Sequence, residues 1–151
     1  MRKTIFAIFA LFYIINPIFA KDIVSQSDEE IYQNCLNKFP SPTTVSVTQG
    51  NIEDVKRERN LRQCLKNKIL EIAQSSLSEK EFNNFASALN ESERNNFEIY
   101  RIIFFCSNDS KSIWCNERYK DDRSLEKLMM EKSLTSQIKQ ILSTLVEQQG
   151  D

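Results

Sequence analysis

The 151-residue chain contains no histidine, only two glycines and only three prolines. Without histidine it lacks the side chain that most often acts as a general base near neutral pH. Because all-β domains need many tight turns, which glycine commonly supplies, the low glycine content disfavours that class. The sequence also has no Gly-x-Ser-x-Gly elbow and no phosphate-binding loop. We therefore expect a helical protein that is not an enzyme and needs no cofactor.

Acidic runs such as those at 28–30 and at 121–122 could in principle supply an acid/base pair. Both stand close to expected helix starts, where carboxylates interact favourably with the helix dipole. We interpret them as features of helix starts rather than as catalytic groups.

The first 20 residues have the order of a secretory signal peptide. Two basic residues precede an apolar run over 5–15, and the small residue Ala20 follows. The run is shorter than the roughly 20 apolar residues that a membrane span needs. We expect cleavage after Ala20, no stable membrane anchor, and a single mature domain at 21–151. The product would be extracellular, or periplasmic if the source is Gram-negative.

Charge argues against a nucleic-acid partner. Removal of the two basic leader residues leaves 18 Lys and Arg against 21 Asp and Glu, a net charge of −3. The mixed-sign runs at 57–62 and 120–123 are typical of solvated helix faces, although a face that binds protein is the alternative.

Capping boxes mark two helix starts, at Ser27 with Glu30 and at Ser78 with Glu81. Pro40 is expected to end the first helix, and residues 40–51 form a loop. Asn90 and Ser133 are expected to bend or break the two later helices, and the apolar segment 97–106 is expected to be central. The apolar positions at helical spacing are Leu61, Cys64, Leu65, Ile69, Ile72 and Ala73, then Phe82, Phe85, Ala86 and Leu89, then Leu134, Ile138, Ile141, Leu142 and Leu145. The pattern predicts an all-α bundle of about five to six helices.

Four cysteines, at positions 35, 64, 106 and 115, suggest disulfides because an even count in a secreted chain favours them. Their separations and the lack of histidine disfavour zinc, and no Cys-x-x-Cys redox motif is present. Four cysteines allow three pairings. Since Cys35 and Cys64 lie on the apolar stripes of different helices, we favour Cys35–Cys64 and Cys106–Cys115. The second pair would join two helices, with Phe105 and Trp114 packed beside it.

Aromatic residues are concentrated in the middle third of the chain. They fit either a plain core or the wall of an apolar cavity between helices, where bundles often bind ligands. The candidates for that wall are Phe82, Phe85, Phe97, Tyr100 and Phe104. Asn90 and Asn108 begin Asn-x-Ser triplets, which would matter as glycosylation sites only in a eukaryotic source.

The signal peptide, a mature chain near 130 residues and the positions of Cys35, Cys64, Cys106 and Cys115 resemble the insect odorant-binding proteins. That resemblance implies a secreted helical carrier, stapled by disulfides around an apolar cavity. The second and sixth cysteines of the family would fall at Asn60 and Ser124, so Cys106 and Cys115 would have to pair with each other. Salivary inhibitors of some blood-feeding insects use the same scaffold to bind host proteins or small mediators.

A second, weaker resemblance is to the helical, four-cysteine lysozyme inhibitors of the bacterial periplasm. It rests on the order Phe97, Arg101, Cys106 and on Cys115 followed by Arg123. We therefore expect a carrier of a small apolar ligand, with an inhibitor that binds another protein as the alternative.

Overall fold

Five helices make up the described part of a computed structural model, which covers residues 26–40, 52–106, 114–120 and 123–148. They are α1 (Asp28–Lys38), α2 (Ile52–Ser76), α3 (Glu79–Phe105), α4 (Trp114–Lys120) and α5 (Ser124–Glu147). Those ranges contain no strand, so the predicted small all-α fold with disulfides is confirmed. The predicted signal peptide, the loop at 41–51, Asn108 and the side chain of Trp114 lie outside the described residues.

Both predicted capping boxes are present. The Ser27 hydroxyl accepts from the Glu30 backbone N–H at 3.2 Å, and the Glu30 carboxylate accepts from the Ser27 N–H at 3.1 Å. At α3 the Ser78 N–H donates to the Glu81 carboxylate at 3.0 Å, and the Ser78 hydroxyl also donates to it. These bonds satisfy backbone donors that a helix start otherwise leaves without partners.

One apolar core lies where α5 packs along α2, with α1 and α3 at its sides. Leu65, Ile69 and Leu142 are fully buried there. The predicted stripes of α2 and α5 supply most of this core, and Leu89 of α3 completes it. Burial of side chains of this size contributes about 1.5–3 kcal/mol each, so this cluster is a major source of stability.

A second core surrounds the Cys106–Cys115 disulfide at the other end of α3. Phe105, Met130 and Leu134 pack against the two cysteines. The rings of Phe105 and Tyr119 meet edge to face with centroids 5.2 Å apart. Phe105 therefore lies beside the disulfide as predicted.

Three long helices are joined between these cores by buried ions. The Glu131 carboxylate of α5 is 1% exposed and lies 2.9 Å from the Arg59 guanidinium. Arg62 also contacts Glu131 and lies 2.9 Å from Glu93 of α3, which pairs in turn with Lys66. Each carboxylate is thus shared between two cations, which compensates for the loss of water around it.

The disulfide between Cys35 and Cys64 attaches α1 to α2, with the two Cα atoms 5.8 Å apart. Just past the end of α1, the Phe39 carbonyl accepts a hydrogen bond from the Arg57 guanidinium of α2 at 2.7 Å. The second disulfide joins the end of α3 to α4 with Cα atoms 5.1 Å apart. Both predicted pairings are present.

The helix breaks predicted near Asn90 and Ser133 are wrong, because α3 runs unbroken through Asn90 and α5 runs unbroken through Ser133. Asn90 is exposed, so its amide can be hydrated without competing for the backbone. The Ser133 hydroxyl donates to the Met129 carbonyl one turn earlier, which satisfies it within the helix.

The prediction that 97–106 is a central segment is also wrong. Ile99 is 52% exposed and Ile103 is 55% exposed, whereas Phe105 is buried. Only one face of the end of α3 contacts α4 and α5, so the apolar residues on the opposite face lie at the surface.

The two disulfides should differ in their contribution to stability. They close loops with sequence separations of 29 and 9, and loop-closure entropy then gives about 3.5 and about 2.5 kcal/mol respectively. We expect the Cys35→Ala/Cys64→Ala variant to lose more unfolding free energy than the Cys106→Ala/Cys115→Ala variant, measured by urea denaturation. The opposite order, or no loss in either variant, would contradict the pairing.

The α3 capping box should be visible in a titration. The pKa of Glu81 is lowered from its ordinary value of 4.5, first by the hydrogen bond from the Ser78 hydroxyl and then by the Ser78 backbone N–H. Ser78→Ala should raise the pKa of Glu81 towards 4.5, measured by NMR titration of its carboxyl carbon, whereas Ser87→Ala on the same helix should leave it unchanged.

Because the folded pKa of Glu81 is lowered, its stabilising contribution is present above the unfolded pKa and is lost as pH falls through the folded one. The stability difference between wild type and Ser78→Ala should therefore shrink on acidification. A difference independent of pH would argue against the capping interaction.

Candidate functional site: a groove between α3 and α5

An open groove of about 470 Å³ lies between α3 and α5. The described residues that line it are Phe85, Asn96, Gln137, Gln140, Ile141, Thr144, Leu145 and Gln148. Its volume lies within the range of about 300–1,000 Å³ that is typical of small-molecule sites. The groove is therefore our candidate site.

Helical spacing on α5 gives the groove two rows of residues four positions apart. One row is Gln137, Ile141 and Leu145, and the other is Gln140, Thr144 and Gln148. Residues four apart lie one above the other on the same face of a helix, so each row forms a continuous strip along α5. The first row provides aliphatic surface and the second provides polar groups.

Phe85 of α3 supplies the aromatic part of the groove. It is half-buried and packs against the first core, which also includes Ile141 and Leu145 at its edge. These three side chains form an apolar floor continuous with the packed interior. Since that interior holds them in place, the floor is largely formed before a ligand arrives.

Two hydrogen bonds fix polar groups along the groove. The Gln137 side-chain amide donates to the Tyr100 hydroxyl at 2.8 Å, which ties α5 to α3. The Thr144 hydroxyl donates to the Gln140 backbone carbonyl at 3.1 Å. The Thr144 hydroxyl hydrogen and one of the two Gln137 amide hydrogens are therefore engaged within the protein.

The five aromatic residues predicted to form a cavity wall are distributed over two regions. Phe85 lines the groove, and Phe82 lies half-buried one turn earlier. Phe97, Tyr100 and Phe104 pack instead against the second core. The structure thus brings one of the five to the groove directly and a second, Tyr100, through its bond to Gln137.

Polar residues of the groove were missed by the sequence analysis, which followed apolar positions only. Gln140, Thr144 and Gln148 stand beside the predicted α5 stripe at a spacing of four residues. That amide- and hydroxyl-bearing row was a detectable signal. No sequence pattern marks Asn96 as a groove residue, because its placement depends on how α3 packs against α5.

A second surface feature is the isoleucine face, formed by Ile99, Ile102 and Ile103 near the end of α3. Their exposed fractions are 52%, 39% and 55%. Exposed apolar residues grouped on one helix are typical of sites that contact another protein.

Within the described ranges, no group of three or more His, Cys, Asp or Glu side chains is placed to hold a metal ion. None of the helices in those ranges combines the length and apolar character needed to cross a bilayer. The paired cysteines are typical of an oxidising compartment.

Comparison of the chain with protein-family models, with curated proteins and with solved structures gives no match.

Proposed function

We propose that this chain is a secreted, non-enzymatic helical binding protein that carries a small apolar ligand in the groove between α3 and α5. The observation that carries the proposal is the open apolar floor of Phe85, Ile141 and Leu145. Such a floor can remove an apolar ligand from water at a gain of about 25 cal/mol per Å² of buried surface. The polar rows beside it provide orientation.

Secretion is supported by two independent features. The first 20 residues have the order of a signal peptide. Both disulfides require an oxidising environment to persist, which the extracellular space and the periplasm provide. A carrier released into such a fluid benefits from covalent staples, because it must stay folded far from cellular chaperones.

Binding of N-phenyl-1-naphthylamine, a fluorescent apolar probe, tests the carrier proposal. We expect saturable binding to the wild type and an affinity at least about tenfold lower for Leu145→Asn, because the substitution places an amide in the apolar floor. Leu70→Asn is the matched control, since Leu70 is also half-buried against the first core but does not line the groove.

Fluorescence titration of the three folded proteins gives the comparison. An equal loss of affinity in both variants would mean that the probe senses general destabilisation rather than the groove. Absence of a saturable site in the wild type would refute the carrier proposal.

A second candidate function, inhibition by binding another protein, is favoured by the isoleucine face. A protein interface usually has an apolar centre with charged residues at its rim. Glu98 and Arg101, paired at 2.7 Å, flank the exposed isoleucines in this way. The resemblance of the cysteine and arginine order to lysozyme inhibitors makes lysozyme the first partner to test.

The double variant Ile99→Ser/Ile103→Ser distinguishes the inhibitor function from the carrier function. If the isoleucine face binds lysozyme, the wild type should inhibit hen egg-white lysozyme and the double variant should lose most of that inhibition. Its unfolding free energy should change by less than about 1 kcal/mol, because both positions are exposed. Full inhibition by the variant, or none by the wild type, would exclude this face as a lysozyme-binding surface.

A further inference from the structure

The described lining of the groove contains no charged side chain. Its polar groups are the amides of Asn96, Gln137, Gln140 and Gln148 and the hydroxyl of Thr144. This is notable in a chain in which 27% of residues are charged. The nearest parts of α5 do carry charges, but Lys139 is directed to Glu29 of α1, with Nζ 3.1 Å from the carboxylate.

Charge-free lining selects against charged ligands. A carboxylate or ammonium that leaves water for a partly apolar site loses hydration, and only an opposite charge or several good hydrogen bonds can replace it. Lys139 does not line this groove, because it lies beside Tyr32, with Nζ 3.8 Å from the ring centroid. An uncharged polar group has a much smaller desolvation cost than an ion.

The hydrogen bonds already formed determine which kind of neutral group fits best. Thr144 donates its hydroxyl hydrogen to the Gln140 carbonyl, and Gln137 donates an amide hydrogen to Tyr100. A hydroxyl oxygen and an amide oxygen each have two lone pairs, so both side chains keep acceptor capacity, and Gln137 also keeps its second amide hydrogen. A ligand hydroxyl, which can donate and accept at once, complements such a lining.

We propose, resting on the carrier function above, that the ligand is an uncharged amphiphile with an aliphatic or aromatic body and a hydrogen-bond-donating hydroxyl group. Its body lies on Phe85, Ile141 and Leu145, and its hydroxyl donates to the row that contains Thr144 or to Gln137. Acids and amines with the same body are poor ligands at neutral pH.

A matched ten-carbon series tests the head group by displacement of N-phenyl-1-naphthylamine at pH 7. We expect 1-decanol to compete at least about tenfold better than decanoate and decylammonium. Decyl methyl ether, which cannot donate, should fall between the alcohol and the ions. Decylammonium is the control for the negative net charge of the protein. That net charge would weaken binding of the decanoate anion but not of the decylammonium cation.

The variant Gln140→Lys places a cation at the rim of the groove. It should improve competition by decanoate at least about fivefold and should not improve competition by decylammonium. Gln74→Lys adds the same charge on an exposed site of α2 and should leave the order of the series unchanged. Equal competition by 1-decanol and the two ions, or no gain for decanoate in Gln140→Lys, would overturn the head-group inference. The carrier function would still be supported if the probe binds saturably. Loss of saturable probe binding in the wild type would overturn both.

Discussion

Glu131 places a fully buried carboxylate between Arg59 and Arg62 of α2, and Arg62 extends the contact to Glu93 of α3. A relative shift of α2, α3 or α5 by one turn would separate the charges of this network, and a buried charge without a partner costs several kcal/mol. We therefore infer that the ionic network fixes the register in which the three long helices pack.

The two apolar cores and the groove follow from that register. Farther along α5 from Glu131, Ile138 and Leu142 pack in the first core, whereas Met130 and Leu134, one on each side of Glu131 in the sequence, pack with the Cys106–Cys115 disulfide. Farther along α5, its separation from α3 leaves Phe85, Ile141 and Leu145 open to solvent. A register shift of one turn would move Ile141 and Leu145 of α5 away from Phe85 of α3, so the groove depends on an interaction outside it.

Local features were predictable from the sequence because their causes are local. The capping boxes at Ser27 and Ser78 need only residues three positions apart, and the disulfide partners followed from the faces on which the cysteines lie. The failures that concern burial came from tertiary contacts. Neither the burial of Glu131 nor the exposure of Ile103 can be deduced from helical spacing, because each depends on which helix lies opposite. For the same reason the groove could not be located, although Phe85 was among the candidate residues.

The most direct test of this account is a double-mutant cycle between Arg62 and Glu131, with Arg62→Met and Glu131→Met, measured by urea denaturation. If the buried pair fixes the register, each single variant should lose about 2–3 kcal/mol of unfolding free energy, because Glu131 would keep only the half-exposed Arg59 and Arg62 would keep only Glu93. The double variant should lose no more than either single variant, which gives a coupling energy of about 2 kcal/mol or more. Losses that add to within about 0.5 kcal/mol would show that the two side chains act independently and would contradict the account.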